Sequence, residues 1–194
     1  MELESRPSTA PPQLTRYIAL LRAINVGGHT VKMDHLRSLF QEITLQNVET
    51  FIASGNVIFE APAGDERALE EKIEAHLHAS LGYKVATFIR TSGEITEIAS
   101  YQPFPLEETE ANGAVVYIAF LPRTPDEHAQ QKLLALRTPV DDFHVHQREV
   151  YWLCRIRMSD STFSGGLLEK TIGLPATMRN ISTVKKLAAK YGQQ

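Results

Sequence analysis

Two stretches of this 194-residue chain are apolar at nearly every position: RYIALLRAI over 16–24 and AVVYIAFL over 114–121. A strand with one solvated face alternates apolar with polar residues, so unbroken runs predict central strands covered on both faces. One such strand stands in each half of the chain. That pattern supports two halves joined through their sheets.

The elements around each run are legible from spacing. In the first half a loop, NVGGHTVK, follows the strand, and Met33, Leu36, Phe40 and Ile43 recur at helical spacing. Two short strands over 48–53 and 57–60 meet around Ser54-Gly55-Asn56, which reads as a hairpin. Leu69, Ile73, Leu77 and Leu81 form one stripe of a helix over 65–81, with Asp65 as N-cap and Gly82 past its end. A strand over 84–90 completes β-α-β-β-α-β, the ferredoxin-like split pattern. Thr91 with Glu94 makes a capping box for a connecting helix that stops before Pro103 and Pro105. The pattern then returns: the second apolar strand, a helix opened by Thr124-Pro125-Asp126-Glu127, strands around Phe143–Val145 and 150–154, and a last helix burying Ile181, Val184, Leu187, Ala188 and Tyr191. The expected class is α+β, with two ferredoxin-like halves, 16–90 and 91–194, joined through their sheets. The second half reads β-α-β-β-α, without a clear last strand. Residues 1–15, rich in Pro, Ser and Glu, read as a disordered leader.

Charge bears on partners. A net charge of −3 and a pI near 6.2 disfavour sequence-independent nucleic-acid binding, which needs many cations facing phosphates. NVIFE also lacks the aromatic and basic residues of an RNA-recognition strand, so Phe59 reads as core. Cys154 is alone, which excludes an intramolecular disulfide and fits a reducing compartment, the cytoplasm. No stretch is apolar enough to span a bilayer.

The last helix carries the sharpest local signal. It is predicted to open with Thr177-Met178-Arg179-Asn180, a cation in its first turn, whereas the other helices offer Asp34, Asp65, Glu94 and Asp126. The positive end of a helix dipole disfavours Arg, so Arg179 is expected to meet an anion, either an internal carboxylate or a ligand. At one end of the first half, Arg22, Asn25, Gly27, Gly28, Ser54, Gly55 and Asn56 are expected to gather. Glycines admit backbone N–H groups close to an anion, and Asn and Ser add compact donors. Arg22, read as part of the apolar strand, must pair with something polar or anionic. Neither a Walker loop nor a G-x-G-x-x-G is present, and no cofactor is expected. Asp142, His144 and His146 share a strand face but lack a fourth ligand, so no metal is expected. His76 and His78 read as surface residues, Ser164 as a helix N-cap and Cys154 as core.

Three strings, LRAINVGG (21–28), FIASGNVIF (51–59) and ATMRNISTVKKL (176–187), together resemble the bacterial family known as domain of unknown function 1697. The usual family forms read RGINVGG, SGNVVF and TTRNWNTV. Ala23 stands for the first Gly, and Met178 and Ile181 for the second Thr and the Trp. Arg22, Asn25, Gly27, Gly28, Ser54, Gly55, Asn56, Arg179, Asn180 and Thr183 match. The resemblance implies an α+β fold and a cytosolic bacterial protein, and implies no activity. Taken with the physical reading, it makes these ten residues the candidate site for a small anionic or phosphorylated ligand such as a nucleotide. The alternatives are an enzyme acting on a phosphorylated substrate, with His29 or Asp34 as the available bases, and a structural or interaction module whose polar strings lock the halves together.

Overall fold

The computed structural model describes residues 13–25, 27–52 and 55–192. Most of the expected leader, and Ser54 of the candidate site, lie outside them. Leu14 and Thr15, assigned to the leader by sequence, belong to the first strand.

The described residues form two four-stranded antiparallel sheets and seven α-helices. In the first, β1 (Leu14–Leu21), α1 (Met33–Glu42), β2 (Gln46–Thr50), β3 (Asn56–Pro62), α2 (Glu66–Leu81) and β4 (Thr87–Thr91) build a sheet of order β2-β3-β1-β4. Helices α3 (Ser92–Ser100) and the short α4 (Leu106–Thr109) lead to the second. There β5 (Val115–Phe120), α5 (Glu127–Leu134), β6 (Asp141–His146), β7 (Glu149–Cys154), α6 (Gly165–Ile172) and β8 (Thr177–Asn180) give the order β6-β7-β5-β8, and α7 (Ile181–Tyr191) follows.

Both central strands are covered on both faces. In β1, Tyr17, Ala19 and Leu21 point into a core with α1 and α2, including Leu36, Phe40, Ile73 and Leu77. Ile18 and Leu20 point the other way, into a middle layer with Ile95 and Ile98 of α3, Val184 and Leu187 of α7, and Ile118 and Phe120 of β5. Ala119 and Leu121, on the far side of the second sheet, pack with Leu133 of α5 and Leu168 of α6. Period-two alternation thus splits one apolar run between two cores.

Local signals explain most helix ends. Asp65 accepts from Arg67 and Ala68 N–H, Gly82 ends α2 in the left-handed region, and Thr91 with Glu94 forms the capping box of α3. Ser164 caps α6, and Cys154 and Phe59 are fully buried. Two helix starts differ from expectation. α5 begins at Glu127 with Asp126 as cap, its carboxylate accepting from Ala129 N–H, so Thr124 and Pro125 precede the helix. Thr177–Asn180, read as the first turn of the last helix, form strand β8 instead, paired with β5. Pairing beside β5 supplies the backbone hydrogen bonds a helical turn would have made, and the Asn180 side chain, accepting from Ser182 N–H, starts α7 one residue later. Arg179 is therefore not a helix-terminal cation.

Candidate functional site

The two sheets repeat one pattern of polar residues. Ile18 pairs with Arg90 across β1 and β4, as Ile118 pairs with Arg179 across β5 and β8. Leu20 faces Asn56, as Phe120 faces Glu149. Both arginines are buried and reach into the opposite sheet. Arg90 donates from Nε to Glu149 Oε1 (2.6 Å), from Nη1 to Ile89 O and from Nη2 to the carbonyls of Leu121 and Arg148. Arg179 donates from Nε to Asn56 Oδ1 (2.7 Å), from Nη1 to Thr177 Oγ1 and Met178 O, and from Nη2 to the carbonyls of Leu21 and Gly55.

One atom type separates the two clamps. Arg90 is neutralised by a buried carboxylate, whereas among the described residues the oxygens bonded to Arg179 are all neutral. Burial pushes the Arg179 guanidinium down to about 10, with no neighbouring carboxylate to hold it up, so it stays charged at neutral pH. Burial likewise pushes Glu149 up, against the pull of Arg90.

Arg179 lines a hollow of about 690 Å³ with Leu21, Arg22, Ile24, Asn25, Gly165, Glu169, Thr177 and Met178. Arg22 lies just beyond β1, not within it, and its side chain is 45% exposed. The chain leaves the sheet after Leu21, and Ala23 takes φ +56°, a left-handed conformation that favours Gly. Released from the sheet, Arg22 bonds Glu169 Oε2 at 2.7 Å, while Glu169 Oε1 accepts from Ala176 N–H. The loop after β1 is pinned by Asn25 Oδ1, which accepts from Val31 N–H, and by Tyr83, whose hydroxyl donates to Ile24 O. Gly55 lies against this loop: a Cβ there would sit 2.9 Å from Ile24 Cγ2, and its φ is +74°.

Of the ten residues singled out by sequence, Arg22, Asn25 and Arg179 border the hollow, with Gly55 and Asn56 behind Arg179. Gly27 and Gly28 are exposed loop residues with positive φ. Asn180 lines a separate hollow with Ser182, Lys185 and Leu106, and Thr183 is half-buried on α7. His29 stacks on Tyr83 and Asp34 pairs with Arg37. His144 and His146 pack on Tyr101, whose hydroxyl lies 2.8 Å from His144 Nε2. Sequence reasoning missed Glu169, Gly165 and the Met178 backbone, because each acquires meaning only through β8.

The fold and the polar clamps define an α+β protein of two matched antiparallel sheets. The chain belongs to the family described as protein of unknown function (DUF1697), whose model matches residues 14–151. That span holds the first two polar strings and ends before the third. The conserved bacterial protein SP0830 from Streptococcus pneumoniae is similar in structure, with a TM-score of 0.70 and 19% identity over 93% of this chain and 100% of that one. At that identity the likeness shows the fold alone. No curated protein matches by sequence. No helix among the described residues is long and apolar enough to cross a membrane.

Proposed function

We propose that the hollow beside Arg179 binds a small anionic or phosphorylated ligand, in the size range of a nucleotide. The observation that carries the reading is the contrast between two equivalent arginines: Glu149 neutralises Arg90, while Asn56 leaves Arg179 with a buried, uncompensated charge. An uncompensated charge in a low-dielectric wall attracts anions into the adjacent space more strongly than a solvated one. Arg22 and Asn25 offer polar groups at the rim. The ligand is a small molecule, not nucleic acid, in keeping with the net charge of −3. The lone Cys154 supports a cytoplasmic setting. The β-α-β-β-α-β order and the strand order of each sheet support two ferredoxin-like halves, with α3 and α7 as equivalent helices following their last strands.

A second reading is favoured by a specific observation. All five Arg179 N–H donors are already taken by protein oxygens, as expected of a clamp that only locks β8 to the first sheet. Amide and Arg Hε resonances of the isotope-labelled protein, followed as inorganic phosphate or AMP is added at fixed ionic strength, separate the two. Saturable shifts confined to Asn25, Met178 and Arg179 are expected. Their absence leaves the clamp.

A further inference from the structure

The internal repeat also indicates what the ligand's anionic group is. In the first sheet the outer edge of β4 is closed by α2: Glu74 Oε1 accepts from Thr87 N–H at 2.9 Å and, one turn earlier, Glu70 Oε1 accepts from Ile89 N–H at 2.8 Å. In the second sheet Glu169 of α6 accepts from Ala176 N–H in the manner of Glu74. Buried residues follow the same spacing, Ile73 and Leu77 on α2 against Leu168 and Ile172 on α6.

The correspondence breaks one turn before Glu169, at Gly165, which has no side chain to reach β8. The register leaves the facing donor open. Leu121 N–H bonds Arg148 O, so alternate residues of β5 face β7, and Met178, opposite Ala119, directs its N–H to the outer edge like Ala176. No group among the described residues accepts from it. Gly165, Met178 and Arg179 all border the hollow described above.

We propose that the hollow binds a carboxylate, seated on the Met178 amide in the place where α2 supplies the Glu70 carboxylate to Ile89. The inference rests on the anion-site reading and narrows its ligand from anions in general to a carboxylic acid. The field of Arg179 acts on this seat as that of Arg90 acts on Glu70. Leu21, Ile24, Ala176 and Met178 among the lining residues suit an apolar body on the acid. Among the described lining residues Glu169 is the one carboxylate, and its oxygens are occupied by Arg22 and Ala176.

Sodium benzoate, with neutral benzamide as control, tests this on the full chain. Benzoate is expected to shift the Met178 amide resonance saturably and benzamide to leave it unmoved. Gly165→Glu rebuilds the missing side chain; its Cβ would lie 3.0 Å from the Met178 Cε methyl, the far end of a flexible side chain. It is expected to weaken benzoate binding by about tenfold or more, the scale of one charged hydrogen bond, while Gly165→Ala retains it. Equal shifts from benzamide, or unaltered benzoate binding in Gly165→Glu, overturn the proposal. Should Gly165→Glu not fold, the benzoate and benzamide titrations of the wild type decide alone. If phosphate perturbs the hollow and benzoate does not, the carboxylate assignment falls and the anion site stands; if neither does, both fall.

Discussion

Arg179 and Arg90 make matching hydrogen bonds from the same register positions, apart from the extra bond of Arg179 to Thr177 Oγ1, and differ in whether the acceptor at Nε carries charge. Removing Arg90 strands the Glu149 carboxylate in a dry interior, at a cost of about 3–5 kcal/mol. Removing Arg179 strands only neutral oxygens, each costing about 1–3 kcal/mol if no water reaches it. Urea denaturation of Arg90→Met and Arg179→Met is expected to show the larger loss for Arg90→Met at neutral pH, and to lose that ordering at a pH where Glu149 is protonated. Arg22 stands apart from both. Placed inside an apolar strand it would be indispensable, but it lies outside β1 in a half-exposed pair with Glu169. Arg22→Ala is therefore expected to change stability by no more than about 1 kcal/mol in the same experiment.

Among the elements, α3 shows how a helix start and a tertiary contact share one carboxylate. Glu94 accepts from the Thr91 N–H within its capping box and from Arg148 Nη2 at 2.6 Å, and Arg148 also holds Glu66 in the first turn of α2. Burial alone would raise the Glu94 carboxyl, but the hydrogen bonds from Arg148 and Thr91 outweigh it and hold the group below its ordinary value. A depressed folded value means the stabilisation is fully present above the unfolded carboxylate range and is lost as pH falls through the folded value. Denaturant midpoints measured from neutral pH into the acid range should fall less steeply for Glu94→Gln than for wild type. This capping box was legible in the sequence because all of its parts lie within four residues. So was the two-faced character of β1 and β5, which is written in unbroken apolar runs. Strand β8 was not: TMRN carries no apolar run, and its strand state is imposed by the open edge of β5. Misreading it turned a buried strand arginine into a helix-terminal one. It also hid Glu169, the partner of Arg22 from 147 residues away.

Over the whole molecule, two similar sheets share a middle layer in which α3 and α7 and both inner sheet faces interdigitate. Neither sheet would keep that face dry alone, and the two arginine clamps cross between the sheets in opposite directions. The repeat acts as an internal control: what the Arg90 side fills with carboxylates, Glu149 from the second half and Glu70 from the first, the Arg179 side leaves as Asn56 and Gly165. On the reading proposed above, the hollow beside Arg179 is where negative charge arrives from outside.

The melting temperature of wild type and Asn56→Asp, measured against rising phosphate and benzoate at constant ionic strength, tests that claim most directly. At a hundredfold excess over the dissociation constant, binding should stabilise the wild type by about 2.7 kcal/mol, a rise of about 5–10 °C for a chain of this size. Asn56→Asp gives Arg179 the internal carboxylate that Arg90 already has, and its melting temperature should not respond. A wild type that fails to rise with either anion, or a variant that rises equally, would contradict the account.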